Sequence, residues 1–197
     1  MPNFPGPWNQ LVKKNVREIL STLDFYCAVL LCLSTIAFRI AGISLPSEAL
    51  VAITVLAALA LSSYAQCLFG LDGEGGLKRY RLLPMRGWQI LAAKDAAFLL
   101  IALVLSLPMA PLAGMAAALV ALALGHSPSV TQPREQIRWR FSTGVNLGFG
   151  LLQAAGMAMA ASATYFTSPL VVLVCVPLWA GSLWYYGREL EFASRED

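Results

Sequence analysis

Charge is scarce in this chain. Only 13% of its residues are Asp, Glu, Lys or Arg, against 58% hydrophobic. A soluble domain of this size needs more charged surface, so a freely soluble globular fold is excluded. Histidine occurs once, at His126, and the four cysteines (Cys27, Cys32, Cys67 and Cys175) lie in apolar runs without a CxxC spacing or a Cys/His cluster. That argues against a zinc site and a disulfide framework, and the thiols read as small buried hydrophobes. The net charge of +3 is too small for a nucleic-acid footprint and suits loops beside anionic lipid. Met1 to Pro7 carries no basic residue and no small-residue cleavage site follows it, so a secretory signal is not expected.

Several chemistries are missing too. There is no G-x-x-x-x-G-K-[ST] phosphate loop, and the glycines at 70, 73, 75 and 76 lack the lysine and hydroxyl that would cradle ATP. Asp72 and Glu74 have no later carboxylate at the bidentate position of a calcium loop. His126 falls in a polar segment with Ser127 and Ser129, without the buried, oriented base of a hydrolase. The apolar runs hold mainly neutral polar residues: Ser62, Ser63, Gln66, Ser106, Asn146, Gln153, Ser162 and Thr164. Lys94 and Asp95 are expected near the start of a span, at interface depth. Ion-coupled carriers keep carboxylates or histidines near the midplane. A chain without them needs energy from elsewhere to move a solute.

What is present is a pattern of positive clusters between long uncharged runs. The clusters are Lys13/Lys14/Arg17, Lys78/Arg79/Arg81/Arg86/Lys94, Arg134/Arg138/Arg140 and Arg188/Arg195, and only Arg39 stands apart. Runs punctuated this way read as membrane-spanning helices with the Lys/Arg excess on the cytoplasmic side. The predicted spans are 25–43, 49–69, 88–108, 112–124, 143–166 and 170–186. Reading 96–124 as one kinked helix would place Arg134, Arg138 and Arg140 opposite the other clusters, so two helices are predicted there. The small residues of the fifth run, from Gly144 to Ala161, permit close helix contact.

Before the first span, Trp8, Leu11, Val12, Val16, Ile19, Leu20 and Leu23 share one helical face, opposite Lys13, Lys14, Arg17 and Glu18. This predicts an amphipathic helix in the membrane interface. The expected fold is all-α and integral to the membrane: an interfacial helix over 1–24, six transmembrane helices over 25–187, and a charged tail over 188–197. Both termini are expected in the cytoplasm.

The loop over 70–94 carries a resemblance. Phe69-Gly70-Leu71-Asp72-Gly73-Glu74-Gly75, Leu82-Leu83-Pro84-Met85-Arg86 and Ile90-Leu91-Ala92-Ala93-Lys94-Asp95 resemble the pattern F-G-x-D-x-x-G, L-P-x-x-R, I-L-x-x-K-N of permeases in type-2 ABC exporters. Leu124-Gly125-His126, Ser129 and Pro133 resemble the G-N, S and P that follow the fourth helix there. Asp95 and His126 stand where that pattern has asparagines, and the chain resembles the second half of a double-length bacterial permease. The resemblance implies a permease subunit in the bacterial inner membrane. It also implies docking of a separate ABC ATPase on the loop through Asp72, Leu77, Tyr80, Leu82, Leu83, Pro84 and Arg86. ATP and Mg²⁺ would be bound by that partner, with no cofactor or metal in this chain. The chain would pair with a second copy or a second permease, with membrane lipids around it. A small-residue path suits lipids, amphipathic drugs or hydrophobic peptides better than ions. Two other classes remain open from the residues alone: a membrane-embedded lipid-modifying enzyme, and a non-catalytic assembly or anchoring protein.

Overall fold

The computed structural model describes residues 7–73, 80 and 85–192. The described residues form seven α-helices: α1 (Pro7–Leu20), α2 (Leu23–Ile40), α3 (Ser47–Gln66), α4 (Gly87–Ser106), α5 (Pro111–Thr131), α6 (Leu147–Ser162) and α7 (Val171–Phe192). A single 3₁₀ turn follows α3 at Gly70–Asp72, and a π turn over Ala163–Thr167 extends α6. The helix starts follow local chemistry. Thr22 Oγ1 accepts from the Phe25 N–H to cap α2, and Asn146 Oδ1 accepts from the Gly148 N–H to cap α6. Gln89 Oε1 reaches back to the Arg86 N–H at 3.0 Å. Pro111 opens α5, where its missing N–H has no cost.

Five helices, α2 to α6 with its π extension, are long and apolar enough to cross a bilayer. This is the make-up of a multi-pass membrane protein. The tyrosines, tryptophans and charged residues in the second half of α7 dilute its apolar stretch, and α7 does not reach the same mark.

α5 is the hub. It packs against α3, α4, α6 and α7, while α2 lies on α3 and α1 on α4. The core follows from the small residues of α5: Ala113, Ala116, Ala117, Ala118 and Ala121 are all buried. Gly125 lets the backbones touch, because a Cβ there would stand 2.3 Å from Ala65 O of α3. The outer faces of α2, α6 and α7 stay apolar and exposed, as at Leu30, Ile40, Leu147, Met159 and Leu173. In water such faces would be a liability, but in hydrocarbon they are the solvent-facing surface.

The polar segments collect at one end of the bundle. The Gln136 N–H donates to Gly70 O at 3.1 Å and the Leu23 N–H to Arg138 O at 2.9 Å. Lys14 reaches Asp72, and Glu191 Oε1 accepts from the Gly87 N–H at 2.9 Å. α1, the loop after α3, the loop after α5 and the end of α7 therefore meet, as two helices between the two loops require. Gly70 is needed at this junction, since a Cβ would stand 2.5 Å from Arg134 O.

Three expectations change. α5 does not stop at Leu124 but runs to Thr131, with Pro128 inside it, so His126 and Ser129 are helical. The polar residues that looked like loop are satisfied by neighbouring helices. α7 continues past Tyr186 to Phe192, taking in residues read as tail. Finally, α1 lays its apolar face on the bundle: Leu11, Val12, Val16 and Ile19 are buried, and Trp8 Nε1 donates to Gln89 O at 3.2 Å. The contacts of that face are with protein.

Candidate functional site

Two buried polar clusters sit side by side on α4, because Lys94 and Asp95 are consecutive and point to different neighbours. Both side chains are fully buried. They lie seven and eight residues into α4, about 10 to 12 Å along its axis. Lys94 and Asp95 thus lie in the first half of α4, as the sequence places them, and both are buried between helices.

The first cluster surrounds Asp72. Its Oδ2 accepts from Lys94 Nζ at 3.0 Å, and its Oδ1 accepts from Lys14 Nζ and from Tyr80 OH, the latter at 2.9 Å. Lys14 Nζ also lies 2.9 Å from Tyr80 OH and 3.3 Å from Glu18 Oε1. Asn15 Oδ1 accepts from Lys94 Nζ at 3.2 Å. The Lys94 ammonium stands 5.0 Å from the ring centroids of both Phe69 and Tyr80. Two lysines thus meet two carboxylates, contributed by α1, the turn after α3, and α4. Opposite charges in balance are what make such burial tolerable, although Asn15 Nδ2 and Glu18 Oε2 are buried without a hydrogen-bond partner among the described residues.

The electrostatics follow from that geometry. Burial by itself would raise the Asp72 carboxyl, but the Lys94 charge and the hydrogen bonds from Lys14 and Lys94 outweigh it and hold it below the ordinary aspartate value. Burial opposes the Lys14 ammonium, yet Asp72 and then Glu18 lift it above the usual lysine value. Glu18 moves the other way for a carboxylate: burial and the nearby Asp72 charge raise it despite Lys94 and Lys14. Burial and the Asp72 charge also push the Tyr80 phenol up.

The second cluster joins α4, α5 and α7. His126 Nε2 faces Asp95 Oδ1 at 3.2 Å and Oδ2 at 3.1 Å, and His126 Nδ1 lies 2.9 Å from Ser182 Oγ. Trp179 Nε1 donates to Asp95 Oδ2 at 2.8 Å, and Ser182 Oγ donates to Ala123 O at 2.7 Å. The sequence Asp–His–Ser matches a hydrolase triad in composition, but not in function. The Ser182 hydroxyl proton is committed to Ala123 O. Ser182 also lies inside a helix, where the surrounding backbone N–H groups are used along the helix and cannot form an oxyanion hole. A lipid-hydrolase reading gains nothing from it.

Of the loop residues that the resemblance singled out, the structure brings Asp72 and Tyr80 together. Tyr80 is 4% exposed, and its hydroxyl donates to Asp72. Arg86 is exposed at the start of α4. With Trp88, Leu183, Trp184 and Arg188 it lines an open groove of about 490 Å³, where the Arg188 guanidinium lies 4.4 Å from the Trp184 ring centroid. Leu77, Leu82, Leu83 and Pro84 lie outside the described residues. Sequence reasoning missed Lys14, Asn15, Glu18 and Lys94 as partners of Asp72, and Trp179 and Ser182 as partners of the Asp95–His126 pair. The available signal was that Lys94 and Asp95 interrupt an otherwise apolar run.

Among the described residues no group of three or more His, Cys, Asp and Glu side chains is placed to hold a metal ion. Family models, curated proteins and solved structures give no match to this chain. Fold and site together define a helical multi-pass membrane protein with a charged latch at one end of its bundle.

Proposed function

We propose that this chain is the permease subunit of an ATP-driven exporter, crossing the bacterial inner membrane six times with both termini in the cytoplasm. A separate ABC ATPase binds ATP and Mg²⁺ and acts on the loop over 70–94. The chain pairs with a second copy or a second permease through part of its exposed apolar surface, and the solute path is uncharged.

The observation that carries this reading is the Asp72 latch. Lys14 of α1 and Lys94 of α4 hold Asp72 and Tyr80, so a force on the loop is passed to two helices at once. Because the Asp72, Lys94 and Tyr80 side chains are buried and hydrogen-bonded, the latch transmits displacement with little give. The groove beside Arg86 supports a docking role, since exposed tryptophan and arginine are the residues that anchor protein interfaces.

The test is tandem purification from the native membrane with ATPase content as the readout. Arg86→Glu is expected to lower ATPase recovery at least tenfold, while Arg39→Glu, at the opposite end of α2, leaves it unchanged. Recovery of no ATPase with the wild-type chain would reject the reading.

A further inference from the structure

We propose that Asp95 and His126 form a buried proton-binding site that fastens α7 to α4 and α5. The inference follows from counting hydrogens and does not rest on the transport reading. Ser182 has one hydroxyl hydrogen, and it goes to Ala123 O at 2.7 Å. Its oxygen then accepts from His126 Nδ1 at 2.9 Å, which places a hydrogen on Nδ1. That leaves Nε2 facing the Asp95 carboxylate at 3.1 and 3.2 Å. A bare ring nitrogen against a carboxylate sets one lone pair against another. A hydrogen must lie between them, either on Nε2 or on the carboxyl group. The pair therefore holds one proton more than a neutral imidazole plus a carboxylate.

Among the described residues, the groups facing the pair give no alternative source for that hydrogen; the nearby Tyr64 hydroxyl of α3 makes no hydrogen bond to it. Trp179 of α7 can only donate, and its N–H goes to Asp95 Oδ2 at 2.8 Å. Tyr186 of α7 presents its ring, with centroids 6.4 Å from His126. Lys94, the next residue on α4, is turned to Asp72 and Asn15. Both members of the pair are fully buried, so the proton has no direct contact with water.

The proton and α7 are thereby linked. If the proton leaves, either Nε2 repels Asp95 or the histidine switches tautomer and takes the Ser182 hydrogen away from Ala123 O. Both changes loosen Trp179 and Ser182 from their seats, and α7 must move to let the proton out. Linkage makes the effect reciprocal: seating α7 favours proton binding by the same factor that proton binding favours seating α7. Asp95 and His126 are also the two positions where the pattern this chain resembles has asparagines, and in the fold they face each other.

The single histidine makes the test direct. Full-length wild-type protein in lipid nanodiscs, labelled with ¹⁵N-histidine and ¹³C-aspartate, gives one pair of imidazole signals at pH 7. The expected result is a hydrogen on both ring nitrogens. A hydrogen on Nδ1 alone beside a protonated Asp95 carboxyl is the same bound proton on the other partner and also supports the site. A neutral imidazole beside an ionised Asp95 overturns it. In Asp95→Asn the imidazole is expected to lose its second hydrogen, and an imidazolium that persists there rejects Asp95 as the partner. Should that variant fail to fold, the wild-type spectrum decides alone.

Discussion

The buried Lys94 ammonium stands 3.0 Å from Asp72 Oδ2, and that carboxylate answers Lys14 and Tyr80 as well. One carboxylate thus serves two ammonium groups, which makes the cluster asymmetric. Asp72→Asn strands the buried Lys94 cation, while the half-exposed Lys14 keeps Glu18, and is expected to cost about 3–5 kcal/mol, the range for breaking a buried pair. Lys94→Met leaves Asp72 with Lys14 and Tyr80, and its cost is expected to be smaller. Thermal unfolding of both variants in detergent checks the order, and an equal or reversed ranking counts against the latch.

Acid acts on this cluster with two opposite signs. Asp72 lies below its ordinary value in the folded chain, so its contribution is complete above the unfolded value of about 3.9 and is lost as pH falls through the folded one. Glu18 lies above its ordinary value, so its contribution is complete below about 4.3 and is lost as pH rises through the folded one. Asp72→Asn is expected to flatten the acid side of the stability curve. Glu18→Gln is expected to remove the loss on the neutral side. Unfolding midpoints measured from about pH 3 to pH 8 separate the two.

Close helix contact makes Gly125 and Gly181 unequal. A Cβ at 125 meets Ala65 O at 2.3 Å, while a Cβ at 181 meets nothing within 4 Å. Gly125→Ala is expected to destabilise by about 1–3 kcal/mol through overpacking. Gly181→Ala is expected to be neutral or to stabilise by up to about 1 kcal/mol through helix propensity. Unfolding curves of the two single variants decide this.

Arg39 and Arg138 are both exposed and lie at opposite ends of the bundle. Cysteine placed at 39 is expected to react with an impermeant maleimide added to intact cells. Cysteine at 138 should react only after the cells are opened. Labelling at 138 in intact cells would invert the proposed orientation.

The hairpins were legible because apolar runs of sufficient length alternate with basic clusters, and α2, α3 and α4 begin and end within a few residues of the expected bounds. The end of α5 was not legible. Gly125, His126, Ser127, Pro128 and Ser129 read as loop by composition, yet Ser129 Oγ donates at 2.9 Å to Ala65 O of α3 and His126 faces Asp95. Polar residues satisfied by other helices leave no periodic trace of their own. The latch was hidden for a related reason. Lys14 and Lys94 looked like topology-setting charges, and their shared carboxylate lies 58 and 22 residues away, respectively. Distance along the chain conceals such a pairing unless the helices are already in place.

The gathering of basic residues at one end also bears on biogenesis. The tips of the three hairpins, at 41–46, 107–110 and 168–170, contain no charged residue, and Arg39 and Glu48 are the nearest ones to the first tip. Moving a Lys, Arg or Asp through the middle of a bilayer costs about 2.5–3.5 kcal/mol per residue on the insertion scale. In the proposed orientation each pair of helices can slip in as a loop, with almost no ionic cargo to drag across, and the arginine-rich connectors need never leave the side on which they were synthesised.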